Sequence, residues 1–188
     1  MARMFVAVLP GERVVRELDE LLESRRDGES GLRWVPPDAW HLTTAFMANV
    51  PDSAREGLEG NLKAAARGVE SFEVGVSGGL AFPHADRTKV LALAVTEGAQ
   101  ELAALSARSR AAANRAGVAV EGGRFVGHLT LARHRGLSAV RWLEVLDSFP
   151  AWVWRVEEVC LVETVVPGRR YEVRARFPLG PSGARVLE

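Results

Sequence analysis

A chain of 188 residues, 47% hydrophobic and 26% charged, is large enough for one substantial core and has the composition of an ordinary globular protein. Its 24 Lys and Arg balance 24 Asp and Glu, which excludes a bulk cationic surface for non-specific nucleic-acid binding but not a small or end-specific anionic substrate. The single cysteine, Cys160, excludes an internal disulfide framework. With no membrane-length apolar run and no signal-peptide pattern, the expectation is a cytoplasmic monomer with no membrane partner.

The elements follow in order. Residues 3–9 are a short apolar run closed by Pro10-Gly11, a buried strand. Val14, Val15, Leu18, Leu21 and Leu22 have helical spacing and predict a helix over 11–26, followed by a loop at 27–31. A brief strand at 32–35 stops at Pro36-Pro37, and a strand at 40–46 follows. Pro51, Asp52 and Ser53 open a helix over 52–69. Residues 72–82 and 88–96 read as a hairpin with a bend at Gly78-Gly79. An Ala-rich helix over 98–116 ends at Gly117. A strand at 125–132 is broken by Gly136, and a helix runs over 137–147. A long Trp- and Val-rich strand spans 151–165, Pro167-Gly168 turns it, and the last strand is 171–179. Residues 181–188 form a tail.

Within this pattern one motif is written twice, as His41-Leu42-Thr43-Thr44 and His128-Leu129-Thr130-Leu131. With four His and six Thr in the chain, a chance double occurrence is expected at roughly half a percent. In a strand, alternate side chains share a face, so each copy presents one imidazole and one hydroxyl together. Two such strands side by side would cradle a phosphate between two imidazoles. Sliding the chain by the 87 residues between the motifs also lays Met4–Val8 on Leu91–Val95, Gly11 on Gly98 and Leu18 on Leu105. The expected fold is therefore α+β, a bilobed pseudo-twofold duplication with two antiparallel sheets facing a central groove and helices packed outside. Residues 1–180 form a single domain, with repeats at about 3–86 and 87–167 and a final strand.

Several residues draw plainer expectations. Cys160, in an apolar run, reads as core, as do Trp40, Phe46 and Phe125 beside the motifs and Trp142, Trp152 and Trp154. Trp34, near a loop, is the better candidate for stacking on a base. His84 and His134 read as solvent-facing, and Arg108, Arg110 and Arg115 as a solvated helix face.

The paired motifs, the block Phe-Val-Gly-His-Leu-Thr-Leu-Ala-Arg at 125–133, the opening Arg-Met-Phe-Val-Ala-Val-Leu-Pro and the stretch Gly168–Val173 resemble the 2H phosphoesterase superfamily. Within it the chain looks like the RNA 2′,3′-cyclic phosphodiesterases, historically called 2′-5′ RNA ligases, from about residue 3 to 180. Two positions depart from the pattern: Thr44 stands where the family often has Leu, and Gly127 where it often has Pro, a change that would loosen the start of the second motif strand. The resemblance implies opening of RNA or nucleoside 2′,3′-cyclic phosphates to 2′-phosphomonoesters, with no metal and no cofactor. It implies His41 as proton donor and His128 as proton acceptor, roles the residues alone do not order. Histidine suits either role because its ordinary pKa lies near ~6.5. Thr43 and Thr130 would donate hydrogen bonds to the phosphoryl oxygens, and Arg133 would add a charge-assisted contact. The alternatives are a reversible 2′-5′ RNA ligase running the same chemistry backwards, without an ATP-binding loop, and a non-catalytic RNA-end binder. A two-His metal site fits poorly, since neither motif carries a neighbouring carboxylate or thiol ligand.

Overall fold

The computed structural model describes residues 1–26 and 31–181. The expected loop at 27–31 and tail at 181–188 lie outside the described residues except for Gly31 and Pro181. The elements are β1 (Ala2–Val8), α1 (Glu12–Arg26), β2 (Arg33–Trp34), β3 (Leu42–Val50), α2 (Arg55–Arg67), β4 (Phe72–Phe82), β5 (Thr88–Glu97), α3 (Ala99–Arg115), β6 (His128–Leu137), α4 (Val140–Asp147), β7 (Trp152–Val156), β8 (Glu158–Val166) and β9 (Arg170–Pro178).

The strands form two antiparallel halves, β7-β4-β5-β6 and β3-β1-β8-β9, joined where Leu42 of β3 pairs with Leu129 of β6. The short β2 flanks β6. Exchanging β1 with β5, α1 with α3, β3 with β6, α2 with α4 and β4 with β8 maps one half of this order onto the other. Helices α2 and α3 pack on each other and on the β3–β9 half, and α1 and α4 on the other half. Each helix turns a stripe inward at helical spacing: Val14, Leu18 and Leu22 in α1, and Leu58, Leu62 and Ala66 in α2. Acidic Glu12 opens α1 and Arg25 and Arg26 close it, matching the helix dipole.

Strand β1 explains how the motifs come to be framed by apolar material on both sides. Met4, Val6 and Val8 enter the main core. Phe5 and Ala7, on its other face, join Cys160 and Val162 in a second small cluster that also touches Phe46 and Tyr171. Cys160 is buried there as expected, and its surroundings push the thiol up to about 11, burial first and the Glu158 carboxylate second.

Several sequence expectations need correction. The single strand expected over 151–165 is two strands in opposite halves: β7 hydrogen-bonds β4, whereas β8 bonds β1 and β9. Both pieces are rich in β-formers, so propensity alone does not mark the break at Glu157. Gly136 does not end β6. It takes φ +95°, a conformation open to glycine, and pairing resumes at Leu137 opposite Thr88. The second motif strand therefore runs on to Leu137 instead of stopping at 132, and α4 starts only at Val140; at its other end the strand starts at His128 rather than 125. The expected bend at Gly78-Gly79 is present as a register shift. A Cβ on Gly79 would meet the Leu143 backbone at 3.0 Å, so glycine there lets α4 approach the sheet. The helix expected from residue 52 opens with a 3₁₀ turn at Asp52–Ala54 before α2 proper.

Candidate active site

The two motifs meet at the joint between the halves. Leu42 and Leu129 pair in antiparallel register and are fully buried. By strand alternation His41, Thr43, His128 and Thr130 take the opposite face. The register sets His41 across from Thr130 and Thr43 across from His128. Cross-strand neighbours have Cβ atoms about 4.5–5.5 Å apart, and diagonal positions such as those of the two histidines are roughly 7–8 Å apart. The two histidines and two threonines therefore stand at the corners of one small square on the sheet.

Each ring is held in the same way. His41 Nδ1 donates to the Ala39 carbonyl at 2.7 Å, and His128 Nδ1 to the Val126 carbonyl at 2.8 Å. A carbonyl only accepts, so Nδ1 carries the hydrogen and Nε2 is the atom left to exchange a proton. Ala39 is presented by a 3₁₀ turn over Pro37–Ala39, with Pro36 as its extended N-cap. Phe5 stacks on His41 with centroids 4.4 Å apart, Tyr171 meets that ring edge-on at 5.3 Å, and Phe82 packs on His128 at 4.9 Å. Tyr171 is itself fixed by the Gly168 N–H, which donates to its hydroxyl oxygen at 3.2 Å.

A β-bulge follows each motif at the same position. In β3 the pairs Val6–Ala45 and Ala7–Thr43 leave Thr44 as the extra residue. In β6 the pairs Leu91–Ala132 and Ala92–Thr130 leave Leu131. A bulge shifts the alternation by one. Phe46 and Arg133 are thereby returned to the face of the histidines, where both line a cavity. The displaced carbonyls find partners elsewhere: Thr44 C=O accepts from the Ser106 hydroxyl at 2.6 Å, and Leu131 C=O from the Val35 N–H at 2.8 Å. Thr44, in place of the family's frequent Leu, is buried with its hydroxyl donating to Val6 C=O at 3.0 Å. Gly127 lies close against β5, its carbonyl accepting from the Val95 N–H at 3.1 Å, and a Cβ there would meet Leu102 and Val95 at 3.1 Å, so those side chains would have to give by a few tenths of an ångström.

The cavity, about 360 Å³, brings together His41, Thr43 and Arg133 with Arg3, Arg33 and Phe46. Phe5, Tyr171 and the β8–β9 turn complete it. His128 and Thr130 are not among its walls; they stand beside it on β6. Phe46 is thus a wall of the site rather than core, and the 87-residue offset carrying Phe46 onto Arg133 was the signal that could have found it. Trp34 is not available for stacking: its ring packs edge-on against Trp142 at 4.9 Å, under Arg26. Trp40 and Trp152 are buried as expected, Phe125 packs partly buried against the core, and His84 is exposed. Arg110 is less solvated than expected, because it donates to the Glu121 and Gly122 carbonyls. Among the described residues no group of three His, Cys, Asp or Glu could hold a metal ion, and no helix is long and apolar enough to cross a membrane.

Burial pushes His41 down to about 4; the bond to Ala39 opposes this, and the charges of His128 and Arg133 reinforce it. His128 is also lowered, first by burial and then by Arg133, against the bond to Val126. Both rings are therefore neutral near pH 7 while the groove is empty. An anion placed between them favours their protonated forms.

The family model of the 2′-5′ RNA ligase superfamily matches residues 10–167. The chain belongs to this superfamily. It is 24% identical over 186 residues to the RNA 2′,3′-cyclic phosphodiesterase of Aquifex aeolicus, a match covering 96% of this chain and 98% of that one. Among solved structures, a Thermus thermophilus protein matches with TM-score 0.76 at 25% identity, over 96% of this chain and 99% of its own. E. coli LigT complexed with 3′-AMP matches with TM-score 0.70 at 25% identity, over 95% and 97%. The superfamily fold thus extends over essentially all of β1 to β9.

Proposed function

We propose that this 2H phosphoesterase opens 2′,3′-cyclic phosphates on RNA ends or nucleotides to 2′-phosphomonoesters by metal-free acid–base catalysis. The observation that carries the reading is the Leu42–Leu129 register, which sets two imidazoles, each with only Nε2 free, on one face beside two threonines. The name of the Aquifex aeolicus relative and the 3′-AMP complex of E. coli LigT support the substrate class. The same reading takes residues 1–180 as one bilobed unit made of two copies of a β-α-β-α-β repeat.

In the forward reaction a water attacks phosphorus and His128 Nε2 removes its proton. The P–O3′ bond breaks as His41 Nε2 delivers a proton to the departing O3′, leaving the phosphate on O2′. Roles are ordered by resemblance to the family. Thr43 and Thr130 hydroxyls donate to the non-bridging oxygens, where negative charge grows in the transition state. Arg133 balances that charge from the edge of the groove. His41, neutral in the empty groove, takes up its proton together with the anionic substrate. Product release and exchange with water then reset both rings.

The test is turnover of a 2′,3′-cyclic nucleotide and a cyclic-ended oligoribonucleotide in excess EDTA. The expected product is a 2′-phosphate formed at an undiminished rate. No turnover, a 3′-phosphate product, or activity restored only by added metal overturns the proposal.

A further inference from the structure

We infer that the cavity beside His41 holds a second phosphoryl group, the one on the 5′ oxygen of the nucleotide whose cyclic phosphate is opened. The inference rests on the proposed reaction and names its preferred substrate: a 5′-phosphorylated or internally linked terminal nucleotide rather than a bare nucleoside cyclic phosphate.

Three arginines from three strands converge on this space: Arg3 of β1, Arg33 of β2 and Arg133 of β6. Among the described residues no Asp or Glu lines it. Among the described residues, none of the three is in an ion pair, whereas Arg170, Arg174 and Arg176 on nearby β9 all are. The concentration of positive charge is local, since the chain as a whole is neutral.

Arg33 and Arg133 are also direct cross-strand partners. Like charges in that position destabilise a sheet pair. An anion between the guanidiniums reverses the sign of that term, which gives the arrangement a use. Arg3 is held in place with its guanidinium 4.9 Å from the centre of the Phe46 ring. Arg133 lines the cavity together with His41 and is close enough to lower that ring through its charge, which puts it within reach of the reacting phosphate. One arginine then serves the scissile group, and Arg3 and Arg33 are left for a further one. The volume, about 360 Å³, is at the lower end of ordinary ligand sites and admits a sugar-phosphate unit.

The experiment compares kcat/KM for cytidine 2′,3′-cyclic phosphate, its 5′-phosphorylated form, and a dinucleotide with the same cyclic end. The two phosphorylated substrates are expected to be at least about tenfold better, with an advantage that shrinks as salt rises. In Arg3→Gln and Arg33→Gln the ratio between phosphorylated and unphosphorylated substrates collapses toward one. An advantage confined to the dinucleotide assigns the site to an internucleotide linkage; an advantage shared by both assigns it to any 5′ phosphate. Equal turnover of all three by the unaltered protein overturns the subsite and leaves the reaction standing.

A binding measurement separates the two failures when nothing is turned over. Adenosine 2′,5′-bisphosphate is expected to bind about tenfold more tightly than adenosine 2′-monophosphate, and Arg33→Gln removes the difference. Equal affinities overturn the subsite whatever the activity.

Discussion

Replacing His41 or His128 by alanine is expected to lower kcat for cyclic-phosphate opening by about 10²–10⁴-fold, the usual contribution of a positioned acid or base. Both rings are half-buried and aimed out of the core, and the leucines that join the halves remain in place behind them. The variants should therefore fold, with far-ultraviolet circular dichroism unchanged and a melting temperature within a few degrees of the parent. The double variant separates this account from two independent contributions. If one proton is taken while another is given in a single passage, losing either partner already forfeits the concerted route. The double variant should then be about as slow as the worse single one. Multiplying losses would show that the rings act separately, and normal turnover by a folded single variant would remove the mechanism.

Thr43→Val and Thr130→Val are expected to cost about 10²-fold each in kcat with little change in KM. Removing one donor from an oxyanion-type site costs on the order of 10²–10³-fold, because the bond strengthens as charge develops. Valine keeps the β-branched shape that suits a strand, so the loss isolates the hydroxyl. Steady-state kinetics reads the split directly. A raised KM with unchanged kcat would make the threonines ground-state binders and not part of the transition-state cradle.

The two motifs, their shared face and the α+β class were legible in the sequence because strand alternation converts His-x-Thr spacing into geometry without further information. The bulges were not legible. Thr44 and Leu131 look like ordinary strand residues, and only the pairing of Ala7 with Thr43 and of Ala92 with Thr130 exposes the extra position. That one-residue shift decides that Phe46 and Arg133, rather than Ala45 and Ala132, face the histidines. Arg3, Phe5, Arg33 and Tyr171 were equally hidden, because they reach the site through strand order and not through proximity in the chain. Tyr171 did lie inside the Gly168–Val173 stretch that carried the family resemblance, yet nothing local says that it abuts His41. Trp34 failed for the opposite reason: a tryptophan beside a loop reads as exposed until Trp142 of α4 is seen against it.

The two imidazoles are held to serve one phosphoryl group, and proton NMR of their Cε1–H signals during a phosphate titration tests this most directly. Without phosphate, His41 should titrate at about 4 and His128 below its ordinary value, both held down chiefly by burial. Bound phosphate favours the charged rings, so both midpoints should rise, with proton uptake at a fixed pH between the old and new values. The predicted result is that both signals move along one binding curve with a single dissociation constant. Two unrelated curves, or one ring indifferent to phosphate, would contradict a shared site.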